Sequence, residues 1–341
     1  MSVTSLTDAE LEELVREHGG KPFQARQLAH WVYRHGASSF DECRNLPKQL
    51  RDALATSTSL LSSSVAQAER SDDGTDKLLV RLSDGESIEC VAIPDNDRLT
   101  VCISTQVGCP VGCVFCASGL DGVRRNLTAG EIVEQVLHVR RHVGSDRRLT
   151  NVVVMGLGEP LLNMPALLPA LERLHDPAGI NLGARRITVS TSGYPEHIGR
   201  LADAPHPYQL AVSLHAADDD LRRRLVPTAK ATVREIVGAA ARYGKVRGRE
   251  VTFEVVLLKD VNDRPRDAEL LARCLDGVRA TVNLIAWNPV ARIPDLQRPS
   301  RHQVDAFAER LRDRDLKVTV RRQRGADRSA ACGQLRLHAD V

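Results

Sequence analysis

From Leu6 to Leu60 the apolar residues recur at three- and four-residue intervals, as in Leu11, Leu14, Val15 and then Leu28, Trp31, Val32, with Gly19-Gly20 and Pro22 between them. That spacing places them on one face of short helices and predicts a small helical domain over 1–61. The period then changes. Lys77-Leu-Leu-Val-Arg-Leu and Ser87-Ile-Glu-Cys-Val-Ala-Ile alternate, with Ser83-Asp84-Gly85 between them, which predicts a β-hairpin extension over 62–94.

Beyond Pro94 an apolar strand is followed by a helix six times. The pairs are Leu99–Ser104 with Ala129–Val143, Asn151–Met155 with Pro165–His175, Arg186–Ser190 with Pro195–Leu201, Tyr208–Leu214 with Val233–Tyr243, Glu250–Leu258 with Pro265–Leu275, and Thr281–Ile285 with His302–Arg312. Leu316–Arg321 closes the series as a last strand. Such alternation implies parallel βαβ units. Six units are too few for a closed eightfold barrel, and no Gly-x-Gly-x-x-Gly follows the first strand. The predicted fold class is therefore α/β: a partial (β/α)6 barrel over 95–335, preceded by the helical domain and the β extension. In such barrels chemistry gathers at the C-terminal ends of the strands.

Composition changes this picture little. Hydrophobic residues at 42% and charged residues at 27% suit a chain that buries a full core, which excludes global disorder. No apolar run approaches the roughly 20 residues of a membrane helix, and the first residues form no secretory signal. A cytoplasmic, monomeric protein without a membrane partner is expected. The net charge of +3 names no nucleic-acid partner. The arginine clusters at Arg140–Arg148, Arg185–Arg186, Arg222–Arg224 and Arg321–Arg324 are either phosphate contacts or solvated faces.

The cysteines say more. Cys109-Pro-Val-Gly-Cys113-Val-Phe-Cys116 follows the first barrel strand with Cys-x3-Cys-x2-Cys spacing. Three thiolates on one tight loop can hold an iron–sulfur cubane and leave its fourth iron open. Zinc is the rival, but its sites pair Cys-x2-Cys units a dozen or more residues apart with a fourth ligand, and no partner pair is present. Gly156-Leu-Gly158-Glu159 follows the second strand, where a glycine turn permits close backbone approach and Glu159 can accept from an ammonium. Ser190, Ser213-Leu214-His215 and Asn288 end the third, fourth and sixth strands and would line the same mouth.

Cys-x3-Cys-x-Phe-Cys after a first barrel strand resembles the signature of the radical S-adenosylmethionine (SAM) superfamily. Four further stretches narrow the likeness: Lys21-Pro-Phe-Gln-Ala-Arg-Gln-Leu, Cys102-Ile-Ser-Thr-Gln-Val-Gly-Cys109, Arg125-Asn-Leu-Thr128 and Arg324-Gly-Ala-Asp-Arg-Ser-Ala-Ala-Cys332-Gly-Gln-Leu335. From about Leu11 to Leu335 the chain resembles the RlmN/Cfr family of radical SAM adenosine methyltransferases.

The resemblance implies one [4Fe–4S] cluster on Cys109, Cys113 and Cys116, with SAM held by Gly158, Glu159, Ser190, Ser213, Leu214, His215 and Asn288. It implies that one SAM methylates Cys332, that a second SAM supplies the radical, and that the methyl carbon passes from Cys332 to adenine. Cys102 would then release the product by forming a disulfide with Cys332, and Glu89 would remove the ring proton. A carboxylate in so apolar a strand would have a raised pKa, and a resolving thiol would work best near ambient pKa. The implied substrate is an adenosine of 23S rRNA, and of some tRNAs, docked through Lys21, Arg26, Arg34, Lys48 and Arg51. The implied electron donor is a flavodoxin or ferredoxin.

Methylation at C2 is the expectation, with C8 methylation as in antibiotic resistance, or a zinc-bearing RNA-binding barrel, as the alternatives. The chain departs from the family pattern at Ser118–Asp121, Ala286, Ala326 and Arg328-Ser329, around the substrate mouth. Cys43, Cys90 and Cys274 have no such context and are expected to be structural.

Overall fold

The computed structural model describes residues 1–144, 147–228 and 230–336. Positions 145 and 146, within the Arg140–Arg148 cluster, lie outside the described residues.

Three helices open the chain: α1 (Asp8–Glu17), α2 (Pro22–His30) and α3 (Lys48–Ser57). Leu11, Leu14, Val15, Leu28, Leu50 and Leu54 are all buried, as their spacing requires. Three antiparallel strands follow, β1 (Ser64–Arg70), β2 (Asp76–Arg81) and β3 (Ser87–Asp95). The β extension is thus three-stranded. Its first strand escapes sequence reading because six of its seven positions are exposed, leaving no apolar alternation.

The barrel comprises β4 (Arg98–Cys102), β7 (Asn151–Val154), β8 (Ile187–Thr191), β9 (Gln209–Ser213), β10 (Val251–Leu257), β11 (Ala280–Ala286) and β12 (Lys317–Val320). All pair in parallel and in chain order. β3 pairs antiparallel with β4, so extension and barrel share one ten-stranded open sheet. The helices between the strands are α4 (Ala129–Val143), α5 (Met164–His175), α6 (Pro195–Ala202), α7 (Asp219–Leu225), α8 (Val233–Arg247), α9 (Pro265–Cys274) and α10 (Arg301–Arg312). A short hairpin, β5 (Gln106–Gly108) with β6 (Val123–Asn126), stands apart from the main sheet. Both α7 and this hairpin are too short and too polar to carry a period.

Helix α4 shows how sequence fixes position. Thr128 accepts from Glu131 N (3.2 Å) while Glu131 accepts from Thr128 N (2.8 Å), a reciprocal cap that sets its start. Four polar side chains on its buried face are each spent on a neighbour. Gln135 accepts from Ser104 N (2.7 Å) and donates to Ser104 O (2.9 Å), fixing the chain just past Cys102. The buried Glu134 carboxylate accepts from Ser62 N (2.7 Å), Ser63 N (2.9 Å) and the Thr4 hydroxyl, pinning the N-terminal helices to the barrel. Gly130 lets the chain at Thr4 approach this closely, since a Cβ there would meet Thr4 O at 2.9 Å.

His138, in the same joint, bonds through Nε2 to the Ser63 hydroxyl (2.9 Å). Burial, aided by Arg141, pulls its pKa from 6.5 down to about 4. The unfolded chain takes up a proton below about pH 6.5 that the folded chain refuses until about pH 4. Stability is therefore complete above that window and is lost as pH falls through it, by at most about 3 kcal/mol. Urea unfolding at pH 7 and pH 5 should show this loss, and His138→Gln should shrink the difference. An unchanged pH slope in the variant would refute the assignment.

After β12 the chain does not stop at the sheet edge. Residues 321–336 cross the open side of the barrel and reach the β1–β2 turn: Gly325 N donates to Asp73 (3.0 Å), Asp72 N to Asp327 (3.3 Å), and Arg324 pairs with Asp95 at the end of β3 (2.9 Å). Side chains, not strand ladders, thus join the two ends of the sheet. Among the described residues no helix is long and apolar enough to cross a membrane.

Candidate active site

The cysteine loop leaves β5 at Gly108, whose φ of +81° and contact with Gly122 O exclude a side chain. Cys109 N donates to Gly122 O (2.8 Å), so the β5–β6 hairpin clasps the base of the loop. Val114 N donates to Leu225 O (3.1 Å) and Thr228 to Val111 O (2.8 Å), so α7 and the segment after it hold the tip. Trp287 Nε1 donates to Phe115 O (2.8 Å). Val111, Phe115, Leu221, Leu225 and Val226 form an apolar cluster behind the three cysteines.

Cys109, Cys113 and Cys116 line one cavity at the C-terminal ends of the strands. Burial pushes all three thiols up, Cys109 to about 12. Among the described residues no three His, Cys, Asp or Glu side chains converge as a single metal ion would need. Three thiols facing one cavity suit a cluster whose ligands sit on separate irons and whose fourth iron stays open.

The second-strand turn is built around Ser104. Its hydroxyl donates to Glu89 O (2.7 Å) and accepts from Leu157 N (2.8 Å), and a Cβ at Gly156 would strike this hydroxyl and Ile103 O. Gly158, at φ +104°, lies against Gln106. Glu159 is buried and accepts from Ser192 N (2.7 Å), the Ser192 hydroxyl (3.0 Å) and Leu161 N (3.1 Å). Its carboxylate therefore ties the second strand end to the third, and burial raises its pKa against those donors.

Ser190 and Ser213 face the cavity with their hydroxyls 3.5 Å apart. His215 also faces it, with a left-handed φ of +63°. Its Nδ1 accepts from Val256 N (3.2 Å), and burial followed by Arg222 pulls its pKa down to about 3. The ring is neutral, with its remaining proton on Nε2 as a donor. Asn288 lines the cavity and donates to Cys332 O (2.9 Å). Leu214 does not line it; its side chain is buried in the core and its N–H is spent on Glu254 O (3.0 Å).

Cys102, at the end of β4, and Cys332, on the crossing segment, line the same cavity. Ala117 N donates to Gly333 O and the Ser118 hydroxyl to Leu335 O, so the cluster loop carries the Cys332 segment. All eight cysteines are free, and the Cys102–Cys332 disulfide implied by resemblance is not formed here. Nor is either thiol near ambient pKa: burial pushes Cys102 to about 12, and Cys332 rises for the same reason, with Arg321 opposing in both.

Glu89 stands apart from the cavity lining. It is buried, pairs with Lys77 (3.2 Å), and accepts from Arg336 N (2.8 Å).

Three residues near the cavity were not assigned to the site from sequence, two of them arginines read there only as phosphate contacts or solvated faces. Glu254 is a lone carboxylate in the apolar strand β10, in register with Ser213, and burial raises its pKa. Arg321 directly follows β12 and faces the cavity; burial opposes its charge, but Cys332, Glu254 and Cys102 outweigh it. Arg222 is buried under the cysteine loop. Neither arginine belongs to a solvated face: Arg222 is buried, and Arg321 faces the cavity. Cys43 and Cys90 are buried, and Cys274 is half-buried, in the core.

A parallel β/α sheet with a three-thiol loop at its first strand end and a glycine–glutamate turn at its second defines a radical SAM enzyme. The radical SAM superfamily profile matches residues 103–272, and that of the ribosomal RNA large subunit methyltransferase N-terminal domain matches residues 1–60. A probable dual-specificity RNA methyltransferase RlmN of Symbiobacterium thermophilum is 46% identical over 97% of this chain and 90% of its own length. The dual-specificity RNA methyltransferase RlmN of Syntrophobacter fumaroxidans is 44% identical over 98% of this chain and 97% of its own. The crystal structure of a radical SAM methyltransferase from Sphaerobacter thermophilus superposes with a TM-score of 0.95 at 49% identity, covering 98% of this chain and 99% of that one. The chain belongs to the RlmN family of radical SAM RNA methyltransferases, whose cofactors are a [4Fe–4S] cluster and SAM.

Proposed function

We propose that this enzyme methylates C2 of an adenosine in 23S rRNA, with tRNA as a second substrate, through a methyl group carried on Cys332. The observation that carries the reading is the presence of two further thiols, Cys102 and Cys332, in the cavity lined by the three cluster cysteines.

Bound at Cys109, Cys113 and Cys116, the cluster and SAM supply a carbon radical able to take hydrogen from an unactivated methyl group. The residues do the rest. Gly158, Glu159, Ser190, Ser213, His215 and Asn288 form the SAM side of the cavity, with Leu214 contributing only to their support. Cys332 is the methyl acceptor, and Arg321 lowers the cost of its thiolate. Cys102 sits on rigid strand and releases the product: its sulfur bonds to that of Cys332 as the carbon–sulfur link to RNA breaks, and the freed carbon takes a proton. Glu89 accepts the ring proton once the segment at Arg336 withdraws from it, and the one electron that the adduct also gives up would return to the bound cluster.

RNA docks on the 1–61 domain, where Lys21, Arg26, Arg34 and Lys48 are exposed. Arg51 is spent on Asp41 O (3.1 Å) and contributes less. A flavodoxin or ferredoxin supplies electrons to a monomer in the cytoplasm. Mass spectrometry of nuclease-digested rRNA and tRNA from a deletion strain should show 2-methyladenosine lost and restored on complementation. Loss of 8-methyladenosine instead would move the regiochemistry to C8, and no change in either would overturn the assignment.

A further inference from the structure

Arg222 is 1% exposed, yet only its Nη2 is bonded, to Ser192 O. Its Nε and Nη1 are buried without a hydrogen-bond partner. A guanidinium stays charged in protein, and leaving it buried and unpaired is costly. Asp219, the nearest acidic side chain on its own helix, is committed to Val233 N (2.7 Å). Such a cation calls for an anion that the polypeptide alone does not provide.

Its surroundings say which. Leu221 and Leu225, flanking it on α7, pack in the apolar cluster that backs the three cysteines, and the Leu225 carbonyl holds the loop at Val114. A thiolate at Cys113 would favour the charge of the guanidinium more than Asp219 or Tyr194 does. Arg222 does not itself line the cavity; Cys113, Ser192 and His215 form the wall in front of it. It therefore faces the cluster from behind and is screened from SAM.

We propose that Arg222 is the permanent counter-charge of the iron–sulfur cluster, set beneath Cys113 so that the cluster accepts its electron more readily. This rests on the radical SAM reading of the site. Three thiolates bring negative charge into a low-dielectric wall, and reduction adds one more; a fixed buried cation behind that wall favours the reduced state most. The residue tunes and positions, and touches no substrate.

The test uses full-length protein reconstituted anaerobically, with midpoint potentials measured by EPR-monitored titration without SAM. Arg222→Met should retain about four irons while its one-electron reduction constant falls at least about tenfold, a downward shift of about 59 mV. Arg222→Lys should keep most of the wild-type potential, and SAM affinity should be unchanged in both. Loss of iron in Arg222→Met and Arg222→Gln, with retention in Arg222→Lys, would also support a charge requirement. An unchanged potential in an iron-replete Met variant, weakened SAM binding as the sole effect, or loss of iron in the Lys variant too would overturn the proposal. Wild-type protein that takes up no iron would instead defeat the underlying site reading.

Discussion

Replacing Cys102 with alanine will leave the protein covalently attached to its RNA after one turnover, visible as a nuclease-sensitive species of retarded mobility. Cys332→Ala will give neither that adduct nor methylated adenine. The two sulfurs share one cavity but ride on different elements, Cys102 on β4 and Cys332 on the crossing segment. Removing the first leaves the methyl carrier intact and takes away only the group that detaches it. Removing the second takes away the carrier. Both changes delete one buried sulfur, which costs the fold on the order of 1 kcal/mol, so the contrast will not arise from unfolding. Peptide mass spectrometry should find Cys332 methylated in the Cys102 variant. A Cys102→Ala enzyme that turns over normally would refute the mechanism.

Cys113→Ala should abolish iron binding and reduce RNA methylation to background while the iron-free protein melts as wild type does. Cys113 packs against the apolar cluster of Val111, Phe115, Leu221 and Leu225, which a methyl group still satisfies. Anaerobic reconstitution, iron analysis and the visible spectrum read this directly. Iron retained at the wild-type level in the variant would remove Cys113 from the ligand set.

Much of this was legible in the chain itself. Each barrel strand and most of its helices fell within a residue or two of their periodic patterns, because strands buried on both sides and amphipathic helices leave unambiguous periods. What escaped did so for physical reasons. Strand β1 is an exposed edge, the β5–β6 hairpin is three and four residues long, and α7 is seven residues with five charges. The cysteine loop was readable because metal ligation demands a fixed spacing within one segment. Arg222, Glu254 and Arg321 were not, because their importance depends on which side of a strand or short helix meets the cavity. The burial of Cys102, which raises its thiol pKa, was likewise invisible in sequence.

A barrel closed all round by strand ladders admits its substrate only through its ends. Here the last gap is bridged by contacts from Arg324, Gly325 and Asp327 to the far edge of the sheet, none of them a ladder bond, so the wall can part sideways without breaking one. The segment that spans the gap also carries Cys332 and covers Glu89. Any displacement of that segment therefore moves Cys332 and uncovers Glu89 together.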